Sequence, residues 1–211
     1  MRLDLAMAAS AWLAFAAPGL PQRPAPFVIH VLDQTRAPSG LLRHAMEQAR
    51  NFFDAGGIPT EWVLQQPDDQ NHVSRPIGDG DAILRILSHS SDHSRAFGTA
   101  ILLHAGGVGV YATIYLDRVM DSARDSPATV WLGFVMAHEV GHLLGLPHSI
   151  RGPMRPSLHP SDIPRAATGA LKFDPEQLLR LRESMASRGA TIKLAQAAQI
   201  AGEEAATAVI E

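Results

Sequence analysis

The chain contains no cysteine, no run of basic residues and no internal repeat. Without cysteine it has no disulfide framework, no thiolate metal site and no cysteine nucleophile. The formal net charge of −3 and the pI near 6.3, without a basic run, give no electrostatic support for binding nucleic acid. Its 211 residues are enough for one domain with a sizeable core.

No hydrophobic run is long enough to span a bilayer comfortably, and the apolar stretch from Leu5 to Ala17 is short. It follows a positive start at Arg2, and Ala14-Phe15-Ala16 fits the small-x-small rule for cleavage. We therefore predict a signal peptide over residues 1–16 and a secreted or periplasmic protein, with an uncleaved anchor or a plain N-terminal helix as alternatives. Residues 17–26, rich in proline, are predicted to be a linker.

Hydrophobic periodicity predicts one α+β domain over residues 27–187. The alanine-rich residues 188–211 are predicted to be a C-terminal tail, with a loose helix as the alternative. Helices are predicted from Ser39 to about residue 56, from a serine cap at Ser126 through residue 144, and from Asp174 onward. The last helix should turn Leu178, Leu179, Leu181 and Met185 inward. Strands are predicted over residues 27–32, 60–64, 81–87, 97–103 and 110–116. The glycines at 105–109 join two of these strands, which favours a hairpin over a phosphate-binding loop.

One stretch carries the chemistry: His138-Glu139-Val140-Gly141-His142, then Gly145 and His148. Histidines four apart lie on one face of a helix, where both can bind one zinc ion. Gly145 allows the backbone to leave the helix, so that His148 can return to the same ion. Three ligands leave a fourth position open, as in catalytic zinc sites. Glu139 is placed to act as a general base on water without binding the metal.

Other groups offer competing interpretations. An HExxH pattern alone can be accidental, but the additional Gly145 and His148 make accident improbable. In some proteases the third ligand is a later glutamate, and Glu176 and Glu183 are available. We favour His148, because a helix start and an ion pair explain the two glutamates. A second metal site at His89, Asp92 and His93 competes with the simpler interpretation of a solvated loop.

The pattern from His138 to His148, with Met154 beyond it, resembles the zinc signature of the metzincin clan of metalloproteases. The His148-Ser149 pair resembles the matrixin branch, and Gly152-Pro153-Met154-Arg155 resembles a compact type of bacterial secreted protein. The resemblance implies a twisted, mostly parallel sheet with an antiparallel edge strand, a zinc helix, a methionine turn at Met154 and a C-terminal helix.

The resemblance also implies a function. We expect a zinc endopeptidase with one catalytic Zn²⁺ ion, acting on a peptide or protein, and a chain that is monomeric. The substrate would pair with an edge strand over residues 98–103, which contains Gly98, Thr99, Ala100 and Ile101. A pocket beside the strand would be walled by Phe134, Val135 and the loop after Met154. Two alternatives remain: a non-catalytic zinc module that binds peptides, and a zinc amidohydrolase acting on a small substrate.

Overall fold

The computed structural model describes residues 25–65, 75–90, 95–103 and 108–208, with side chains up to residue 194. The predicted signal peptide, most of the predicted linker, and the loop residues Asp92 and His93 lie outside the described residues. The secondary structure, in chain order, is β1 (Phe27–Asp33), α1 (Ser39–Asp54), β2 (Thr60–Gln65), β3 (Ala82–Leu87), β4 (Gly98–Leu102), β5 (Gly109–Tyr115), α2 (Leu116–Ser122), α3 (Ala128–Leu143), α4 (Ile163–Ala167) and α5 (Pro175–Ala208).

Five strands of the described residues form one sheet in the order β2-β1-β3-β5-β4. The first three contacts in this order are parallel and the last, between β5 and β4, is antiparallel. The predicted mostly parallel sheet with an antiparallel edge strand is confirmed. Strand β3 alternates buried and half-buried residues, the period-two pattern of a sheet with one face on the core. In this strand order β4 is one edge of the sheet, and no other strand of the described residues lies beside its outer side.

Helix α3 lies in the core and is packed closely against α1. Gly133 makes the close approach possible, because a Cβ added there would lie 2.7 Å from the carbonyl oxygen of Ala45. Edge-to-face contact of the Phe52 and Phe134 rings, 6.0 Å apart, adds to the same contact. A helix buried on nearly all sides gives its side chains little freedom to move, so it is a rigid support for a site.

Several details of the sequence prediction are wrong. Leu116, predicted to end a strand, begins the short helix α2. Ser126 does not cap α3, because it lies in a turn that bonds back to Ala123, and the helix begins at Ala128 after Pro127. Leu179 is 55% exposed, since it is one residue out of step with the buried face of α5. Helix α4, between Met154 and α5, was not among the predicted helices.

The predicted domain boundary at residue 187 is also too early. Helix α5 continues to Ala208, and Arg188 and Ile192 are buried. The Arg188 guanidinium donates hydrogen bonds to the carbonyls of Gly80 (2.9 Å), Leu143 (2.8 Å) and Gly109 (2.6 Å). Its burial lowers the pKa of the guanidinium to about 10, and the nearby charge of Asp81 opposes that shift. The packed domain therefore includes the first part of the segment predicted to be a tail.

Among the helices in the described part of the chain, none combines the length and the apolar character needed to cross a membrane.

Candidate metal centre and cleft

Helix α3 positions two of the three predicted ligands, and the turn after it positions the third. One imidazole nitrogen from each of His138, His142 and His148 can be chosen so that all three lie within 4.8 Å of one another. The structure therefore brings together the residues that the sequence pattern predicted as ligands. No other such group of histidines and carboxylates occurs within the described ranges.

A Schellman motif turns the chain so that His148 reaches the helix face. The amide of Gly145 donates to the His142 carbonyl (2.8 Å), and the amide of Leu146 donates to the Gly141 carbonyl (3.0 Å). Gly145 has φ of 80°, in the left-handed region that glycine enters without steric cost. The sequence pattern thus has glycine at position 145 because the turn that brings His148 back to the helix requires a positive φ there.

Hydrogen bonds at Nδ1 fix the tautomer of the two helical histidines, His138 and His142. The Nδ1 atom of His138 lies 2.8 Å from the Pro153 carbonyl oxygen, and that of His142 lies 2.7 Å from the Leu146 carbonyl oxygen. A carbonyl can only accept, so each Nδ1 carries the proton and each Nε2 carries a lone pair. The two Nε2 atoms are 3.0 Å apart. Two lone pairs facing each other at that distance have no favourable partner unless a cation lies beside them.

This donor set fits zinc. Three imidazole nitrogens are ligands that zinc prefers, and tetrahedral ligands about 2.0–2.1 Å from the ion are roughly 3.3 Å apart. Burial lowers the pKa of His138 to about 4 and, more moderately, that of His142, with the neighbouring histidines contributing. The two rings are therefore neutral at pH 7, as metal ligands must be.

Met154 packs against α3 at Gly141, the residue before the ligand His142. It ends a short 3₁₀ turn, Gly152–Met154, and is fully buried. A Cβ added to Gly141 would lie 2.5 Å from the Met154 sulfur, so the thioether occupies the space that glycine leaves on the helix. The same turn supplies the Pro153 carbonyl that orients His138. The turn Gly152–Met154 therefore packs against the helix that carries two of the histidines and orients one of them.

Glu139 is buried beside the ligands and against the edge strand. Its side chain is 5% exposed, and burial raises the pKa of its carboxyl group to about 8. Gly98 lies directly against it, since an added Cβ there would be 2.7 Å from both Glu139 Oε1 and the Thr113 carbonyl oxygen. Gly98, predicted to bind substrate, is thus also the residue that makes room for the carboxylate.

The ligands and Glu139 open into a cleft of about 470 Å³. Strand β4 forms one wall through Gly98, Thr99 and Ala100, and α3 forms another through Phe134 and Val135. Ile101, predicted to contact substrate, does not line this cleft and is 61% exposed on the same strand. Leu102 of the same strand also lines the cleft, and the loop after Met154, which was predicted only as a whole, does so through Arg155, Pro156, Ser157 and Leu158. The sequence reasoning missed Arg95, Ala96 and Phe97.

The competing ligand candidates lie elsewhere. Glu176 is exposed and pairs with Arg180 at 2.8 Å, and Glu183 is exposed on α5. Neither belongs to the histidine cluster. His89 lies 3.1 Å from Asp117 in an exposed contact, and the other two residues of that predicted site lie outside the described residues.

Known structures share this fold. No protein-family model matches the chain, and no curated protein does. Metalloproteinase-II from Bacteroides fragilis aligns over 79% of this chain with TM-score 0.51 and 14% identity. Archaemetzincin from Methanopyrus kandleri aligns over 79% of it with TM-score 0.51 and 15% identity. The chain shares the fold of these two proteins. It spans about half the length of the Bacteroides protein (55%) and 99% of the archaeal one.

Fold and donor set together support a zinc ion at the three histidines. At 14–15% identity the similarity concerns the fold, and the chemistry has to be argued from this chain's own residues.

Proposed function

We propose that this protein is a zinc-dependent endopeptidase. The observation that carries the proposal is the position of three converging histidines and one buried carboxylate, Glu139, at the same cleft. A structural zinc site has four protein ligands and no cleft, whereas three ligands leave a position for substrate or water.

In this mechanism the histidines hold the ion and Glu139 moves the proton. Zinc, when bound, acts as a Lewis acid that polarises a carbonyl and lowers the pKa of water toward about 7. Burial favours the neutral form of the Glu139 carboxyl group, and the positive charge of a bound ion would restore its ionised form. The Glu139 carboxylate would then take a proton from the attacking water and deliver it to the nitrogen of the leaving amine. Its buried setting excludes bulk water from that transfer, and Gly98 leaves the room that the carboxylate occupies.

The shape of the cleft favours a polypeptide over a small amide. Strand β4 is the edge of the sheet that lines the cleft, and its Thr99 is exposed while Gly98 and Ala100 are half-buried. An extended peptide can add to such an edge through backbone hydrogen bonds, which are tolerant of sequence. A small amide would need no edge, and a module that only binds peptide would need no buried base.

Three finer proposals rest on the residue pattern. Gly145, His148 and Met154 support membership of the metzincin clan, in its matrixin-like, compact bacterial secreted type. The sequence of residues 1–16 supports export, to the periplasm or the medium. The substrate is a peptide or protein, and the working unit is a monomer.

The experiment is peptide cleavage by the zinc-loaded protein, repeated with a chelator and with Glu139→Gln. No ligand is removed in Glu139→Gln, so one zinc per chain should remain while turnover falls about 10²–10⁴-fold, the usual contribution of general-base catalysis. Cleavage at the parental rate by this variant would show that Glu139 is not the base. Digestion of small amides but not of casein or peptides would favour the amidohydrolase alternative.

A further inference from the structure

One arginine reaches the cleft directly from the methionine turn. Arg155 follows Met154, lines the cleft and has a side chain 38% exposed. Its Nη1 atom donates a hydrogen bond of 2.8 Å to Asp162 Oδ2. The remaining guanidinium nitrogens of Arg155 have no partner in the described part of the chain. Half of the guanidinium fork is therefore free to bind a second anion.

Asp162 holds this arginine in place without cancelling the local positive charge. The carboxylate is buried, at 4% exposure, and also accepts a hydrogen bond from the His159 amide at 3.2 Å. A second arginine, Arg165, lies 3.7 Å from its other oxygen. Two arginines thus share one carboxylate, which leaves an excess of one positive charge. Because Asp162 already orients Arg155, a ligand would lose little binding energy to ordering that side chain.

The charge of the cleft points the same way. Arg95 and Arg155 are its permanently positive lining residues in the described ranges, and Glu139 is the one carboxylate. Glu139 lies at the histidines, where its role is proton transfer. A negative group on the substrate would therefore meet positive charge away from the catalytic carboxylate, and opposite charges are more strongly attracted in a partly enclosed site.

We propose that Arg155 is a specificity-determining residue that binds a carboxylate of the substrate. This inference rests on the proposed peptidase function and names a preference within it. A guanidinium fork matches the two oxygens of a carboxylate, and hydrogen bonds between charged groups are about twice as strong as neutral ones. Two sources offer the same chemistry: an Asp or Glu side chain near the scissile bond, and the free α-carboxylate of a peptide's C-terminus.

The test compares matched peptides. One series, amidated at the C-terminus, has Glu or Gln at each of three positions on either side of the scissile bond. A second series has a neutral peptide with a free or an amidated C-terminus. We expect the zinc-loaded protein to prefer the carboxylate peptide by at least about tenfold in kcat/KM, in one series or the other. The series that shows the preference identifies the source of the carboxylate.

Variants assign the preference to Arg155. Arg155→Gln should reduce it to less than about twofold while neutral peptides are still cleaved and one zinc is retained, and Arg155→Lys should keep part of it. Arg165→Gln is the matched control, because Arg165 pairs with the same Asp162 but does not line the cleft. It should keep the full preference.

A binding measurement separates this inference from the proposed function. Fluorescent versions of the same peptides are titrated into Glu139→Gln and into the double variant Glu139→Gln/Arg155→Gln, and the Kd ratios are compared. Carboxylate-selective binding that disappears in the double variant supports the inference even if the parental protein cleaves nothing, which would refute only the peptidase. Equal affinity and equal cleavage for both members of every pair would overturn it, as would a preference that survives Arg155→Gln.

Discussion

The contact between Gly141 and Met154 allows a quantitative test of how the metal ligands are supported. A methyl group at position 141 would lie 2.5 Å from the Met154 sulfur and 3.2 Å from its terminal carbon. Gly141→Ala therefore drives a side chain into a fully buried methionine, next to the ligand His142 on the helix. Met154→Ala removes the obstacle, and the two substitutions together should interact strongly.

The expected energies follow from three terms. Alanine is favoured over glycine inside a helix by about 0.5–1 kcal/mol. Overpacking a buried site costs about 1–3 kcal/mol. Gly141→Ala alone should then lower the free energy of unfolding by about 0–2.5 kcal/mol, and Met154→Ala alone by about 2–5 kcal/mol. In the Met154→Ala background, Gly141→Ala should raise stability by about 0.5–1 kcal/mol, so the coupling between the two sites is about 1–3 kcal/mol.

The assay is urea unfolding of the four proteins at one fixed excess of free zinc, because a metal that binds only the folded state adds to its stability. Zinc content is measured in parallel. Met154→Leu serves as the conservative control and should cost less than about 1.5 kcal/mol with one zinc retained. Additivity of the two substitutions within about 0.5 kcal/mol would refute the contact, and loss of zinc in Met154→Leu would show that the sulfur is itself a ligand.

Three further predictions concern other parts of the site. His148→Ala should lose tight zinc binding while Glu176→Ala and Glu183→Ala keep it, as measured by zinc titration; the opposite result would exclude the histidine triad. Gly98→Ala should keep one zinc but reduce peptide turnover, because the added carbon collides with the Glu139 carboxylate and with a backbone carbonyl; an unchanged kcat would show that strand β4 shifts without affecting Glu139. Arg188→Met should lower the free energy of unfolding in urea by about 1–3 kcal/mol for each buried carbonyl left without a donor, and an unchanged midpoint would contradict that account.

The metal cluster could be predicted from the sequence because its determinants are local. His138 and His142 are one helical turn apart, and His148 is only six residues further along the chain. Gly145 marks the point at which the helix must end, and its positive φ agrees with that expectation. The strands were predictable for a similar reason, since each is a short apolar run of strand-forming residues.

The cleft walls depend on contacts between distant parts of the chain. The identity of a single residue does not indicate whether it lines the cleft. Arg155 and Arg95 are sixty residues apart in the sequence, yet both line the same cleft. Ile101 was predicted as a substrate contact because it lies on the edge strand, but the wall formed by that strand does not include it. Similarly, Leu179 is apolar and exposed because the face of a helix is set by what packs against it.

Arg188 shows how far the support of the zinc helix extends along the chain. From the sequence, Arg188 was placed in the alanine-rich segment predicted to lie outside the domain. Its guanidinium instead donates to the carbonyl of Leu143, the last residue of α3. The final carbonyls of a helix have no partner within the helix, and a cation near them is also favoured by the helix dipole. The C-terminus of α3 is therefore stabilised twice, by the turn at Gly145 that returns the third histidine and by an arginine from α5. Because the same guanidinium binds the carbonyl of Gly109 at the start of β5, it joins the zinc helix to the sheet, and the C-terminal helix belongs to the framework of the metal centre.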